Sequence, residues 1–317
     1  MTRVEKQDVK RDAKRDAKRD AKRDAKRDAK RDAKRDEPRD RAEADRRADA
    51  VPRIRVGAQG WNYPAWVGPF YPVRTRPADF LSLYARAFDT VEVDSTFYAV
   101  PPAKTVRGWR ERTPDGFTFA LKLPQEITHE LRFVGAQEVA ARFYEAAREL
   151  GPKLGTVLIQ CGPDFSPTER DALEEYLVTL PLDIDFAIEF RQKGWINEEI
   201  LTLLTARNVA LALVDARWIP RSWMLKLAER PTAGHAYVRF MGPNRSITDF
   251  SHVQVDRTAE IEAWAEVLPL LATKVKVYTY VNNHFAGHSP ATLRSLQEKL
   301  GQVPVDPAQL GEQLGLF

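Results

Sequence analysis

The sequence predicts an α/β chain folded as a closed (β/α)8 barrel, and three observations carry that prediction. After residue 50, eight short runs rich in β-branched and aromatic residues each close on a polar side chain or a turn. Amphipathic stretches with apolar residues at helical spacing lie between them. No GxGxxG follows the first run, so the fingerprint of an open dinucleotide-binding sheet is missing. Strand alternating with helix means parallel pairing through right-handed crossovers, and eight such units in about 250 residues match the span of a closed barrel.

Taken in order, RIRVGAQGW (53–61) leads to the helical stretch ADFLSLYARAF (78–88), and TVEVDSTFY (90–98) and FTFALKLP (117–124) follow. AQEVAARFYEAAREL (136–150) precedes TVLIQC (156–161), and TERDALEEYLVTL (168–180) precedes FAIEFR (186–191). INEEILTLLTARN (196–208) then leads to ALALVD (210–215) and AYVRFMG (236–242). TAEIEAWAEVLPLLA (258–272), VKVYTYVNN (275–283) and SPATLRSLQEKL (289–300) complete the set. The chain therefore divides into a charged extension at 1–50, a barrel at 51–301 and a terminal segment at 302–317.

Hydrophobic residues make up 43% of the chain, enough for a full core. No apolar run approaches the roughly 18 to 20 residues of a membrane helix, and the chain opens on charges instead of an apolar signal. Cys161 is the single cysteine, which rules out an internal disulfide and fits a reducing compartment. A cytoplasmic protein without membrane contact is expected.

The net charge of +4 is unevenly distributed. Residues 1–50 hold 20 Lys+Arg against 14 Asp+Glu, leaving 29 against 31 for the remainder, so the barrel itself is not basic. From Arg11 to Asp36 the extension repeats RDAK six times and ends on RD. Its Asp to Arg pairs at i,i+3 support helix, whereas like charges at i,i+4 oppose it. With only alanine to bury, it reads as a solvated, partly helical or disordered segment, whose hold on any polyanion would be salt-sensitive and sequence-blind.

Alternation along each strand divides barrel-facing from helix-facing side chains. Glu92, Asp94 and Thr96 oppose Val91 and Val93, Lys122 opposes Phe119 and Leu121, and Glu189 and Arg191 oppose Ile188 and Phe190. The same rule turns Gln160, Tyr237, Arg239, Tyr278, Tyr280 and Asn282 inward, with Gln59 and Asp215 at strand ends. These polar groups crowd toward the C-terminal strand ends, where barrels of this kind bind ligands. Four carboxylates face three cations there, which fits either a closed salt-bridge network or a site whose cations hold an anion while a carboxylate moves protons or binds a metal. Trp61 and Tyr98 stand out among the rim aromatics as platforms for a sugar ring or a base.

Five histidines are scattered along the chain, none in HExxH spacing, although His129 and His284 follow strands and can reach the mouth. A divalent metal held by carboxylate and imidazole is left open. No GxSxG elbow occurs, and Cys161 falls on the outward side of its strand, so covalent hydrolase chemistry has no support.

Several blocks in fixed order resemble one known family. GWNYPAWVGPFYP (60–72), FDTVEVDSTFYAVPP (88–102), TPDGFTFALKLPQEITH (113–129), IEFRQKGW (188–195), YVRFMG (237–242) and NNHFAGHSPATL (282–293) are similar to successive blocks of the YecE-like proteins, domain of unknown function 72. The resemblance covers roughly residues 54–300. It implies a TIM barrel of unassigned activity. The family's mouth residues would fall on Trp61, Tyr63, Glu92, Thr96, Phe97, Tyr98, Lys122, His129, Gln160, Glu189, Arg191, Arg239 and Asn283. Two positions depart from the family pattern: Asp94 stands where an asparagine is usual, and Met241 where a histidine is usual, which weakens a metal site.

The last five residues, QLGLF, resemble the short peptide with which bacterial replication and repair proteins dock on the sliding clamp. Leu314, Leu316 and Phe317 would be groove anchors and Gln313 a hydrogen-bonding group, with Gly315 departing from the Ser/Asp of the pattern. Packing of these residues back on the barrel is the competing reading.

Three functions follow. In the first, Lys122, Arg191 and Arg239 hold phosphate, Glu189 or Asp215 acts as base or metal ligand beside Glu92 and Asp94, and Trp61 with Tyr98 stacks a base of DNA or RNA. Tyr63, His129, Gln160, Asn282 and Asn283 complete that ligand shell. The second is a glycoside hydrolase with paired carboxylates, against which three cations speak. The third is a non-catalytic adaptor working through its termini.

Overall fold

The computed structural model describes residues 53–242 and 246–312. The RDAK segment and the terminal pentapeptide lie outside them. Eight strands, all parallel, form the sheet: β1 (Ile54–Ala58), β2 (Thr90–Val93), β3 (Thr118–Lys122), β4 (Leu154–Gln160), β5 (Phe186–Glu189), β6 (Val209–Asp215), β7 (His235–Phe240) and β8 (Lys276–Val281). Their order around the sheet is β1-β8-β7-β6-β5-β4-β3-β2, the sequence order of a barrel. The expected (β/α)8 TIM barrel is what the chain forms.

The helices are α1 (Phe80–Ala87), α2 (Ala103–Glu111), α3 (Gln137–Arg148), α4 (Arg170–Val178), α5 (Glu198–Ala206), α6 (Arg221–Leu227), α7 (Thr258–Ala272), the single turn α8 (Asn283–Ala286), α9 (Ser289–Lys299) and the short α10 (Gln309–Glu312). The pattern of apolar residues announced α1, α3, α4, α5, α7 and α9. It did not single out α2, which buries only Val106 and Trp109, or α6, which follows Pro220 and buries Met224. Segments that end strands early do so for local reasons. The run 90–98 leaves the sheet after Val93 because Asp94–Phe97 wind into a 3-10 turn, locked by Thr96 Oγ1, which bonds both the Lys122 carbonyl and the Lys122 amide.

Two apolar layers result. Valines, leucines and phenylalanines of the outward strand faces pack under the helices. Inside the barrel, Ala120, Ala187, Ala210 and Ala212 face Tyr237, Tyr278 and Tyr280, so small side chains on one wall make room for rings from the other.

Closure between β1 and β2 is unlike the other joints. No ladder joins them below the Gln59 to Glu92 bridge, where Gly60 N donates to Glu92 O at 2.8 Å. Further down, the Tyr84 hydroxyl of α1 sits in the seam, accepting from Ala58 N at 2.6 Å and donating to Thr90 O at 3.0 Å. Asp89 Oδ1 accepts from Val56 N at 3.2 Å. The strands approach so closely at Gly57 that a Cβ there would lie 2.0 Å from the Thr90 carbonyl oxygen.

Candidate functional site at the barrel mouth

Four neighbouring strands, β2 to β5, together with β7 deliver one polar layer to the C-terminal end of the barrel: Glu92 from β2, Lys122 from β3, Gln160 from β4, Glu189 from β5 and Arg239 from β7. Lys122, Gln160, Glu189 and Arg239 each follow the inward Ala120, Leu158, Ala187 or Tyr237 two positions on, and Glu92 follows Thr90 in the same way, so the strand period brings all five to one face. The layer has a closed inner part and an accessible outer part.

Arg239 is the centre of the inner part, with its side chain 1% exposed. Its Nη2 donates to Glu92 Oε1 at 2.7 Å, and its Nη1 donates to Glu189 Oε2 and reaches Gln160 Oε1 at 3.3 Å. Tyr237 Oη donates to the other oxygen of Glu92 at 2.7 Å. Gln59 lies above with its amide 2.6 Å from Asn282 Nδ2; turned over, its oxygen meets Nε and Nη2 of Arg239 at 3.2 Å each. Both carboxylates are fully buried, and such ions persist only when paired and hydrogen-bonded.

The two carboxylates respond in opposite directions. Burial raises the pKa of Glu92, and Arg239 does not fully offset it, with Asp94 adding to the rise. Burial also acts on Glu189, but Arg239 and Arg191 together outweigh it and hold its pKa below the ordinary value. Burial opposes the charge on Arg239, yet Glu189 and Glu92 lift its pKa well above the usual arginine range. Glu189 stays ionised between two arginines; the one proton Glu92 can take leaves the mouth with one more uncompensated positive charge.

The outer part consists of Lys122, Arg191, Asp94 and His129. Arg191 Nε bonds Glu189 Oε1 at 3.2 Å with its side chain 14% exposed, and its guanidinium lies 4.9 Å from the ring centroid of Trp218. Lys122 Nζ stands 3.2 Å from Asp94 Oδ1 and 4.2 Å above the Phe97 ring. Asp94 is 35% exposed, so its pairing with Lys122 is screened by water.

His129 approaches from the loop after β3. That loop carries two successive non-glycine residues in the left-handed region, Arg132 (φ 48°) and Phe133 (φ 71°), a conformation that costs on the order of 1–3 kcal/mol per residue. Arg132 offsets this by bonding both oxygens of Glu169 at 2.5 Å and Asp164 Oδ2 at 2.7 Å, while Phe133 is buried against Phe165 and Tyr176. The β3 loop is thereby fastened to the β4 loop.

Several expected site residues stand elsewhere. Asp215 is not in the mouth. Ala210 and Ala212 line the interior of β6, so Asp215 has the opposite parity and faces the helices, where it accepts from Trp264 Nε1 at 2.8 Å and from Arg221 Nε at 2.5 Å. Arg221 in turn pairs with Glu260, making this a structural ion cluster. Trp61 is not a platform over the mouth: it packs edge-on to Trp109 of α2 and to Phe119 on the outward face of β3. Tyr98, by contrast, is 73% exposed, edge-on to Phe97.

Tyr63 donates to the Gln59 carbonyl at 2.7 Å and rests on Trp66, and burial pushes its pKa up. Asn282 caps α8 by accepting from His284 N, and Asn283 Oδ1 accepts from Ser289 N and Trp66 Nε1, so both asparagines shape the β8 loop. Trp218, Arg132 and Gly162 were not anticipated. Their contacts join separate βα loops, and nothing local in the sequence marks them.

Among the described residues no group of three or more His, Cys, Asp or Glu is placed to hold a metal ion, and no helix is long and apolar enough to cross a membrane.

The model of the family described as "Protein of unknown function DUF72" matches residues 55–313. The UPF0759 protein YecE of Escherichia coli K12 is 27% identical over 282 residues, covering 81% of this chain and 98% of the relative. UPF0759 protein YunF of Bacillus subtilis is 25% identical over 269 residues, covering 78% and 94%. Among solved structures, a DUF72 family protein from Thermotoga maritima superposes with a TM-score of 0.62 at 24% identity, covering 78% of this chain and 97% of the other. One from Enterococcus faecalis V583 gives 0.62 at 21% identity with the same coverage. The matched span runs from the first strand past the last barrel helix, and the chain belongs to the DUF72 family.

Proposed function

We propose that the barrel mouth binds a phosphate-bearing ligand through Lys122 and Arg191. The observation that carries this reading is the division of labour in the charge layer. Arg239 bonds Glu92 and Glu189 below, and above it Lys122 and Arg191, with side chains 10% and 14% exposed, each keep one carboxylate partner, leave donors over and are braced against an aromatic face. A guanidinium held in this way suits the fork geometry of phosphate oxygens, and a lysine beside it adds a point charge. Tyr98 supplies an exposed ring at the same rim, which favours a nucleotide or a nucleic-acid end over bare phosphate.

Glu92 and Glu189 act here as positioning groups. A glycoside hydrolase needs two carboxyls open to the sugar, whereas both of these are buried on Arg239. Recruitment to a sliding clamp through Gln313, Leu314, Leu316 and Phe317 is a separate proposal resting on the sequence of the terminal peptide. Loss of clamp pull-down on deleting residues 313–317 supports it, and unchanged pull-down removes it.

The mouth is tested by calorimetric titration with inorganic phosphate, AMP and a 5′-phosphorylated oligonucleotide at two salt concentrations. Binding should weaken with salt, and Lys122→Ala or Arg191→Ala should each weaken it at least about tenfold, the worth of a charge-assisted hydrogen bond. Absence of salt-sensitive binding to all three ligands sinks the proposal.

A further inference from the structure

The His129 imidazole is placed more carefully than a surface histidine needs. Its Nδ1 is engaged by Thr128 Oγ1 at 2.7 Å, and no described residue bonds Nε2. Its ring makes a T-shaped contact with Phe97, centroids 5.1 Å apart, and Lys122 Nζ lies 4.2 Å from the centroid of the same Phe97 ring. One phenyl ring thus seats both the ammonium and the imidazole. Gly162 of the β4 loop lies against the ring: a Cβ there would lie 2.6 Å from Asp164 Oδ1 and 3.3 Å from His129 Cδ2. The strained Arg132–Phe133 backbone and the Arg132 bonds to Glu169 and Asp164 hold the loop against Gly162. Conformational strain kept in place by a dedicated clamp is a recurrent feature of functional sites.

We propose that His129 moves a proton on the ligand held by Lys122 and Arg191, so that the mouth hydrolyses a phosphate ester as well as binding it. This rests on the phosphate-binding reading above. As a water oxygen bonds to phosphorus, His129 Nε2 takes the proton that the water loses. The bond between phosphorus and the ester oxygen breaks, with its electron pair leaving on that oxygen, which takes a proton from solvent; the products are an alcohol and phosphate. Lys122 and Arg191 stabilise the charge gathering on the phosphoryl oxygens. The base must be neutral at the start. Burial, then Arg191, and further Lys122 and Arg132 lower the pKa of His129, with Asp164 opposing.

Vanadate, which takes up the geometry of the phosphoryl-transfer transition state, tests this without knowledge of the natural ester. In the unmodified protein vanadate should bind at least about 100-fold more tightly than inorganic phosphate, as transition-state analogues do. His129→Gln should lower that ratio at least about tenfold, the minor share of a typical acid–base contribution, while phosphate affinity stays nearly the same. In the wild-type chain alone, imidazole NMR should show the His129 pKa rising when phosphate is added, a readout that survives if the variant misfolds. Equal affinities for vanadate and phosphate, or a His129 resonance that phosphate does not move, overturn the inference and leave the binding site standing. If neither anion binds, both readings fall.

Discussion

Arg239 and Arg191 each bond Glu189, one on each carboxylate oxygen, yet they belong to different regions of the mouth. Arg239 is shut inside with two carboxylates, a tyrosine hydroxyl and a glutamine amide around it. Arg191 has one carboxylate, an indole face and access to water. In the first setting a charge has no freedom to meet a newcomer, since every strong partner is already taken. In the second the guanidinium retains donors that no described residue occupies. The comparison teaches that a count of charges at a barrel rim says little until burial has divided them.

The largest effect should come from breaking the inner region. Arg239→Met leaves Glu92 buried without its cation and Glu189 with Arg191 alone, and urea unfolding should show a loss of about 3–5 kcal/mol. Arg191→Met should cost less, about 1–2 kcal/mol, because Glu189 keeps its bond to Arg239. Equal costs would erase the distinction between the regions.

A smaller effect separates the two carboxylates, with pH as the lever. The depressed pKa of Glu189 contributes stability that is present above the ordinary carboxylate value and lost as pH falls through the folded-state value. The raised pKa of Glu92 has the opposite sign: its contribution is full below the ordinary value and lost as pH rises through the folded-state value. Urea midpoints measured between pH 3 and 8 should therefore show Glu189→Gln flattening the curve below the ordinary carboxylate value and Glu92→Gln flattening it above that value. At pH 7 the first substitution should be the more damaging. The reverse order would mean that Glu92 is the main counter-ion of Arg239.

The smallest effect sharpens the outer region. Asp94 is the acidic group nearest Lys122 and competes with an incoming anion for it. Asp94→Asn should tighten phosphate binding about fivefold, the equivalent of about 1 kcal/mol for a partly screened pair, with little change in stability. Weaker binding would show that Asp94 helps the ligand instead of competing with it.

The barrel was legible because its signals are periodic. Alternation placed Glu92, Lys122, Gln160, Glu189 and Arg239 on the inner face, and the structure puts all five there. Asp215 was read wrongly because a strand's last residue has no following neighbour to fix its parity; Ala210 and Ala212 hold the information, but alanine fits either face. Trp61 misled for another reason: an aromatic beside polar residues looks like a platform until Trp109, from a helix the apolar pattern did not announce, is seen packed on it. The division between buried and accessible cations could not be read at all, since it depends on how neighbouring loops cover each strand end.

The phenol of Tyr84 has a consequence for how the ring becomes whole. Ala58 N–H finds its acceptor on a side chain of α1, not on the adjoining strand, and that same oxygen also binds Thr90. The first strand therefore cannot be satisfied on that side until a helix made some twenty residues later has settled beside it. Assembly of the circumference is conditional on one hydroxyl, and Tyr84→Phe would strand a buried amide at a penalty of about 1–3 kcal/mol. A cylinder that looks continuous is, along this line, a strip held shut by a rivet.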